Sequence, residues 1–325
     1  MASPPPSAKK VVPLVLDLDG TLIRTDTFHE MLVQLLFKKP WLLLLVPLWL
    51  LKGRVFAKTQ LVDSTNLSPC TLPYNLPLIA FAKEEAKKGR PLILATGTDL
   101  RLAKKIADYL GIFQDVIGSH GNLNLTGRNK KQALLQKLGA QGFDYAGDSR
   151  VDRYIWEVAR KIIVVHPKWG VIAQAHSLKK DNSIIVFPRE VPRYYALFLA
   201  LRPLFWVFNV IAPSWPLCIA LSLFTSGLLI GSDLFKLTKE RVSSFKKSVF
   251  ANGHLHLITA FVLLFILIPL PLFLITSSLP WGIGFVLIYS PLFIGLDIAT
   301  RSLPQPMRWI LLSLFQCCAV ISLTL

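Results

Sequence analysis

Asp17-Leu18-Asp19-Gly20-Thr21 sets two carboxylates two residues apart, where the β-branched apolar run of residues 11–16 gives way to a glycine. Such a run ending in an acidic turn reads as a buried strand of an α/β sheet, and open α/β sheets carry their sites at the carboxyl ends of their strands. Three further stretches bear chemistry. Thr96-Gly97-Thr98 follows the apolar run Leu92–Ala95 and offers hydroxyls. Gly127-Arg128-Asn129-Lys130-Lys131 offers cations, with Lys130 and Lys131 both eligible. Asp144-Tyr145-Ala146-Gly147-Asp148-Ser149-Arg150-Val151-Asp152 closes another strand with two carboxylates four residues apart. Paired carboxylates can act as nucleophile and as general acid–base, and clustered carboxylate oxygens suit Mg²⁺. Plainer readings stand beside these: helix-capping hydroxyls at Thr96 and Thr98, and a solvated lysine pair at 130–131. His120 and His166 have no second ligand at metal spacing and read as turn positions. Cys70, Cys218, Cys317 and Cys318 contain no C-x-x-C pair, which excludes a disulfide scaffold or a cysteine zinc site.

The elements that must position these residues divide the chain of 325 residues in two. Strand-like runs at residues 12–16, Leu92–Thr96, Val116–Ile117, Asp144–Ala146 and Ile162–Val165 alternate with helical patterns near 99–110, 129–138 and 150–160. That alternation predicts a parallel, doubly wound sheet over residues 12–192, after a Pro-rich disordered lead-in over 1–11. Residues 27–76 interrupt it with helical segments and predict an inserted cap. Within the cap, Trp41–Leu51 is too short to cross a hydrocarbon core of about 20 residues. It is either a buried cap helix or an interfacial helix flanked by Lys38, Lys39, Lys52 and Arg54. His29, Arg54 and Lys58 are cap candidates for substrate contact, with solvated surface as the alternative. From residue 193 the charge thins to 9 Lys+Arg and 3 Asp+Glu in 133 residues, too few for a water-facing surface. Apolar spans near 194–212, 215–232, 255–277, 281–299 and 306–325 predict an all-α bundle of about five membrane helices. Lys236, Lys239, Arg241, Lys246 and Lys247 place the loop 233–254, and with it the N-terminal domain, on the cytosolic side. The net charge of +17 is explained by anionic lipid and phosphorylated substrates, and no nucleic-acid recognition module is visible.

Taken in order, the four stretches resemble the motifs of the haloacid dehalogenase (HAD) superfamily of phosphotransferases. The resemblance implies a HAD-like α/β fold and an Mg²⁺-dependent phosphomonoester hydrolase. It makes Asp17 the nucleophile, Asp19 the general acid and base, Thr96 a hydroxyl on the phosphoryl group, and Lys130 the neutralising cation. Gly20, Thr21, Gly97 and Thr98 would bind phosphate, the last two as helix-start amides. Asp17, Asp19 through its carbonyl, Asp148 and Asp152 would form the Mg²⁺ site, with Asp148 a direct ligand and Asp152 acting through water or as an orienting group.

The second half looks like a shortened, truncated relative of the UbiA family of intramembrane prenyltransferases. The whole chain resembles HAD–UbiA fusions labelled decaprenyl-phosphate phosphoribosyltransferase-like. That family's first aspartate motif appears as Ser232-Asp233-Leu234-Phe235-Lys236-Leu237-Thr238-Lys239-Glu240, where Asp233 and Glu240 keep carboxylates and Lys236 replaces one. Tyr289 and Asp297 stand for the second motif, and Arg202 is eligible as a lipid-phosphate contact. Asp297 is also placed to pair with Arg301. The expectation is a membrane-anchored phosphatase acting on a phosphorylated small molecule or polyprenyl-linked phosphosugar. A partner chain could complete the bundle. The alternatives are a prenyl or phosphoribosyl transferase with an accessory phosphatase, and a degenerate membrane binding module.

Overall fold

Apolar residues at alternate positions decide the architecture of the first half. In strand β1 (Leu14–Leu16), Leu14 and Leu16 face one side of the sheet and Val15 the other. In β2 (Leu92–Asp99), Leu92 and Leu94 join the first side, while Ile93 and Ala95 join the second. This two-residue period is the pleat of a strand buried on both faces. The other strands are β3 (Asp115–Ser119), β4 (Asp144–Gly147), β5 (Ile162–Val165) and β6 (Ile184–Phe187). All neighbouring strands pair in parallel in the order β3-β2-β1-β4-β5-β6. The winding reverses at β1, so the carboxyl ends of β1 and β4 open a crevice at a topological switch point. The computed structural model describes residues 11–121, 123–179, 183–210, 212, 214–243, 247–278, 282–300, 303 and 305–322. Of the expected lead-in, residues 1–10 lie outside them. The chain divides into two compact units, Met1–Glu190 and Val191–Leu325.

Between β1 and β2 run helices α1 (Thr27–Lys38), α2 (Val46–Leu51), α3 (Arg54–Ser64) and α4 (Leu76–Lys87). The Asp26 side chain caps α1 by accepting from the Phe28 amide at 2.8 Å. The run Trp41–Leu51 does not form one buried helix. It splits into a 3-10 segment, Pro40–Leu45, and α2, and only Val46 in it is buried. Helix α5 (Leu100–Leu110) follows β2 and buries Leu102, Ala103, Ile106 and Ala107, the stripe of an amphipathic helix. Helices α6 (Arg128–Leu138), α7 (Arg153–Trp156) and α8 (Val171–Leu178) cover the other face.

The second unit contains α9 (Arg193–Leu201), α10 (Trp215–Phe235), α11 (Leu237–Val242), α12 (Leu257–Leu267), α13 (Pro269–Ser278), α14 (Gly282–Ala299) and α15 (Gln305–Ser322). Three stretches are long and apolar enough to cross a membrane: Trp215–Phe235, Leu257–Ser277 and Gly282–Ala299. The first of the five expected spans, 194–212, is not one helix. Pro203 disfavours helical backbone at the residue before it, and Arg202 takes a left-handed conformation (φ 50°, ψ 56°) that ends α9. The last expected span has a shorter apolar stretch, Met307–Ile321.

Asp144 opens β4 at the amino edge of the sheet, away from the crevice. Its buried carboxylate pairs with Arg90 and Arg160 and accepts from the Lys161 amide at 3.1 Å. Burial pushes its pKa up, but the hydrogen bonds from Arg160 and Arg90 outweigh burial and hold it below the usual carboxylate range. A lowered folded pKa means that this stabilisation is complete above the ordinary aspartate pKa and is lost as pH falls through the folded one. Asp144→Asn should destabilise the chain by about 1–3 kcal/mol near neutral pH, because it removes a buried carboxylate that accepts from two guanidinium groups, although Arg90 keeps Glu85 and the Val12 carbonyl and Arg160 reaches solvent. Thermal unfolding in detergent checks this, and the gap between variant and parent should close in acid.

Candidate active site

The carboxyl ends of β1, β2 and β4 bring the predicted residues together. Asp17 follows β1 and lies 2.9 Å from the Lys130 ammonium, which α6 delivers almost fully buried. Lys131 points elsewhere and pairs with Glu157 at 3.2 Å, so the geometry selects Lys130 from the two lysines. Burial pushes the Asp17 pKa up to about 6, although the Lys130 charge opposes it. Burial also works against the Lys130 charge, but Asp17 and Asp152 outweigh it and raise its pKa. The pair is therefore an ion pair in a desolvated place, where charge on an incoming phosphoryl group would be felt strongly.

Asp19 is held differently. One oxygen accepts from the Thr27 amide at 2.8 Å and the other from the Thr98 hydroxyl at 2.7 Å. Thr27 is the first residue of α1, so the second carboxylate is tied to the cap. Burial, followed by the nearby Asp26 charge, pushes the Asp19 pKa up to about 6. Thr98 and Gly97 do not begin a helix as expected. The strand β2 runs through them to Asp99, whose side chain caps α5 by accepting from the Arg101 amide at 2.9 Å. Thr98 thus serves Asp19 with its hydroxyl, and its amide donates to the Thr96 hydroxyl at 3.0 Å. The Gly97 carbonyl accepts from Lys58 of α3 at 2.5 Å and from Ser119 at 2.8 Å. Thr21 is buried, and its hydroxyl has no hydrogen-bond partner among the described residues. Of the other cap candidates, Arg54 is exposed and His29 packs edge-on against Phe28, with burial lowering its pKa.

Asp148 follows β4. A side chain on Gly20 would put its Cβ 2.6 Å from an Asp148 carboxylate oxygen, so only glycine, here at φ 76°, lets the two loops approach. Lys168, just past β5, lies 2.7 Å from the same oxygen of Asp148. Burial pushes the Asp148 pKa up to about 6 against that charge. Asp152 is an anchor. One oxygen accepts from the Tyr145 hydroxyl at 3.0 Å, and the other from the Ser149 amide at 2.9 Å, the Ser149 hydroxyl at 2.8 Å and the Asp148 amide at 3.2 Å. Lys130 in turn lies 3.1 Å from the Tyr145 hydroxyl. A buried chain, Asp17–Lys130–Tyr145–Asp152, thus joins the two motifs. Sequence reasoning passed over Tyr145, Thr27 and Lys168. Lys168 had one available signal, its place at the carboxyl end of a strand in a doubly wound sheet.

Among the described residues, no three His, Cys, Asp or Glu side chains converge as a metal cluster. Asp19 and Asp152 are turned to other donors, leaving the carboxylates of Asp17 and Asp148 with the Asp19 carbonyl. That all-oxygen set suits Mg²⁺, and the Lys168 ammonium already puts a cation on Asp148. The donors present therefore fit the ion.

The motif residues of the second unit are engaged with one another. Arg202 donates to both Asp233 oxygens at 2.8 and 2.9 Å. Asp297 pairs with Lys236 and Arg308 and accepts from Ser232 at 2.5 Å. Arg301, expected beside Asp297, lies outside the described residues. Glu240 accepts from the Ser248 amide at 3.1 Å, and Tyr289 stacks among Phe285, Phe293 and Phe315. Buried charges paired in this way are satisfied by the protein itself.

No family model matches the chain. The uncharacterized protein y4nM of Sinorhizobium fredii (strain NBRC 101917 / NGR234) is 40% identical over 155 residues, 47% of this chain and 30% of that protein. The chain therefore spans less than a third of the length of that curated relative. Solved structures similar to the chain include a protein of unknown function from Bordetella pertussis Tohama I (15% identity, 55% of this chain and 98% of that chain, TM-score 0.42). They also include a HAD family hydrolase from Salmonella enterica subsp. enterica serovar Typhi (14%, 54% and 68%, 0.38) and a substrate-bound phosphoserine phosphatase (16%, 59% and 99%, 0.40). These are low likenesses, and the function proposed below rests on this chain's own geometry.

Tyr145→Phe removes the hydroxyl between Lys130 and Asp152 and leaves both with one buried partner fewer. It should cost about 1–3 kcal/mol of stability, read as a lower unfolding midpoint of the detergent-solubilised chain.

Proposed function

We propose that the first unit is an Mg²⁺-dependent phosphomonoester hydrolase. The observation that carries this reading is the buried Asp17–Lys130 pair at 2.9 Å, set at a switch point beside Asp148, with a second carboxylate two residues along the chain. Lys130 and Thr96 bind the phosphoryl oxygens. An Asp17 oxygen attacks phosphorus, and the bond from phosphorus to the ester oxygen breaks. Asp19, with a pKa near neutrality, protonates the leaving oxygen. Asp19 then takes a proton from water as the water attacks the aspartyl-phosphate, and Asp17 and inorganic phosphate separate. Asp17, Asp148 and the Asp19 carbonyl would hold Mg²⁺, which when bound would supply neutralising charge at the phosphoryl group. Asp152 holds the loop after β4, and the cap limits access of water.

The substrate is a phosphorylated small molecule or a polyprenyl-linked phosphosugar. Three apolar helices in the same chain support membrane association, which raises the local concentration of a membrane-borne ester. The excess of basic residues in the loop 233–254 supports a cytosolic first unit. A transferase reading of the UbiA-like half is weaker, because Lys236 stands where the motif it resembles has a carboxylate for Mg²⁺.

Asp17→Asn should lower Mg²⁺-dependent turnover of a soluble aryl phosphate by about a thousandfold or more while the chain stays folded. Unchanged turnover would remove the assignment. A second expectation follows from the raised carboxyl groups. Their folded pKa values near 6 exceed the ordinary value, so the unfolded chain ionises first and stability falls as pH climbs between the two. Mg²⁺ offsets that cost only once the carboxylates are charged. Adding it should raise the unfolding temperature more at about pH 7.5 than at about pH 5.

A further inference from the structure

The cap carries an apolar ridge that the phosphatase reading does not use. Trp41 is 63% exposed, Leu44 79%, Leu48 54% and Leu51 84%. Their spacing of three and four residues sets them on one outward face, while Leu42, Leu43, Val46 and Trp49 pack toward the core. The segment is therefore apolar on both sides, and its outer side is largely exposed. Soluble surfaces seldom leave so many large apolar side chains together.

Charge identifies the occupant. Between Glu30 and Asp63 the chain has no carboxylate, yet it has Lys38, Lys39, Lys52, Arg54 and Lys58. The first four are exposed and flank the ridge at both ends. A Leu- and Trp-bearing face rimmed by cations is matched by acyl chains beneath anionic headgroups. The same chain contains three helices able to span a bilayer, so the ridge is tethered near one. We propose that the Trp41–Leu51 ridge docks into the interface of an anionic membrane, as a contact separate from the spanning helices. The ridge lies close in sequence to a residue of the site. Helix α3 begins at Arg54 on the rim and, one turn or about 6 Å later, carries the Lys58 that holds the Gly97 carbonyl. The docking itself stands whether or not the site hydrolyses phosphate esters.

The test uses the full chain with Cys70, Cys218, Cys317 and Cys318 replaced by alanine. Single cysteines at Leu48, at Leu51 and, as a control, at the exposed Lys105 of α5 carry an environment-sensitive fluorophore. The protein is reconstituted into phosphatidylcholine–phosphatidylglycerol vesicles with brominated acyl chains. The expected result is quenching at 48 and 51 at least roughly threefold greater than at 105, falling in phosphatidylcholine alone. It should fall again when Leu44→Asp and Trp41→Asp are added. Quenching at 48 and 51 no greater than at 105 would overturn the proposal. So would shielding of both positions in detergent that grows with protein concentration, which assigns the ridge to a second copy of the chain. Quenching that is equal in neutral vesicles would overturn the anionic preference. No substrate enters the measurement, so a failed phosphatase assay and a failed docking assay are distinguishable.

Discussion

Burial of several carboxylates at one edge of a parallel sheet is the constraint around which the first unit is arranged. Desolvation acts against the charge of Asp17, Asp19 and Asp148, and each is given a different remedy. Asp17 has a buried ammonium, Asp19 has two hydrogen-bond donors, and Asp148 has a lysine from beyond β5. Asp152 accepts four hydrogen bonds and so fixes the loop that bears Asp148. Each remedy draws on a different element, so the sheet order, the helix α6 and the cap must all be in place before the site exists. The desolvation that opposes these charges also strengthens their action on any charged group bound there, a phosphoryl group in the reaction we propose.

The parts of this site legible in the sequence are those written locally. Asp17 to Thr21 are contiguous, and the apolar run before them announces the strand that carries them. The order of the four motifs pointed to the doubly wound sheet. What escaped notice was assembled over distance. Thr27 meets Thr98 across 71 residues, and Tyr145 meets Lys130 across 15, through contacts of a helix with a strand that only the assembled fold creates. The strand β6, Ile184–Phe187, is as apolar as β5, so its signal was present in the sequence; its place at one edge of the sheet, partly covered, was not.

In the second unit, average apolarity was informative for α10 and α14 and misleading for residues 194–212. There a local restriction, Arg202 before Pro203, outweighs the composition of the segment. The turn carries the Arg202 guanidinium to Asp233, so the break in the helix and the ion pair are one feature. The Leu-rich run in the cap, open from sequence between a buried helix and an interfacial one, buries only Val46 and exposes much of the rest.

The Gly97 carbonyl offers a different kind of conclusion. It accepts from Lys58 of the cap and from Ser119 of the sheet at the same time. Withdrawal of Lys58 therefore strands no buried acceptor, because the serine remains. The cap is latched to the sheet by a contact whose rupture leaves the sheet side satisfied, and the released ammonium is free to meet an anion. That exchange of acceptors concerns one lysine, while the cap keeps its other ties, from Thr27 to Asp19 and Thr98 and from Asp63 to Arg101.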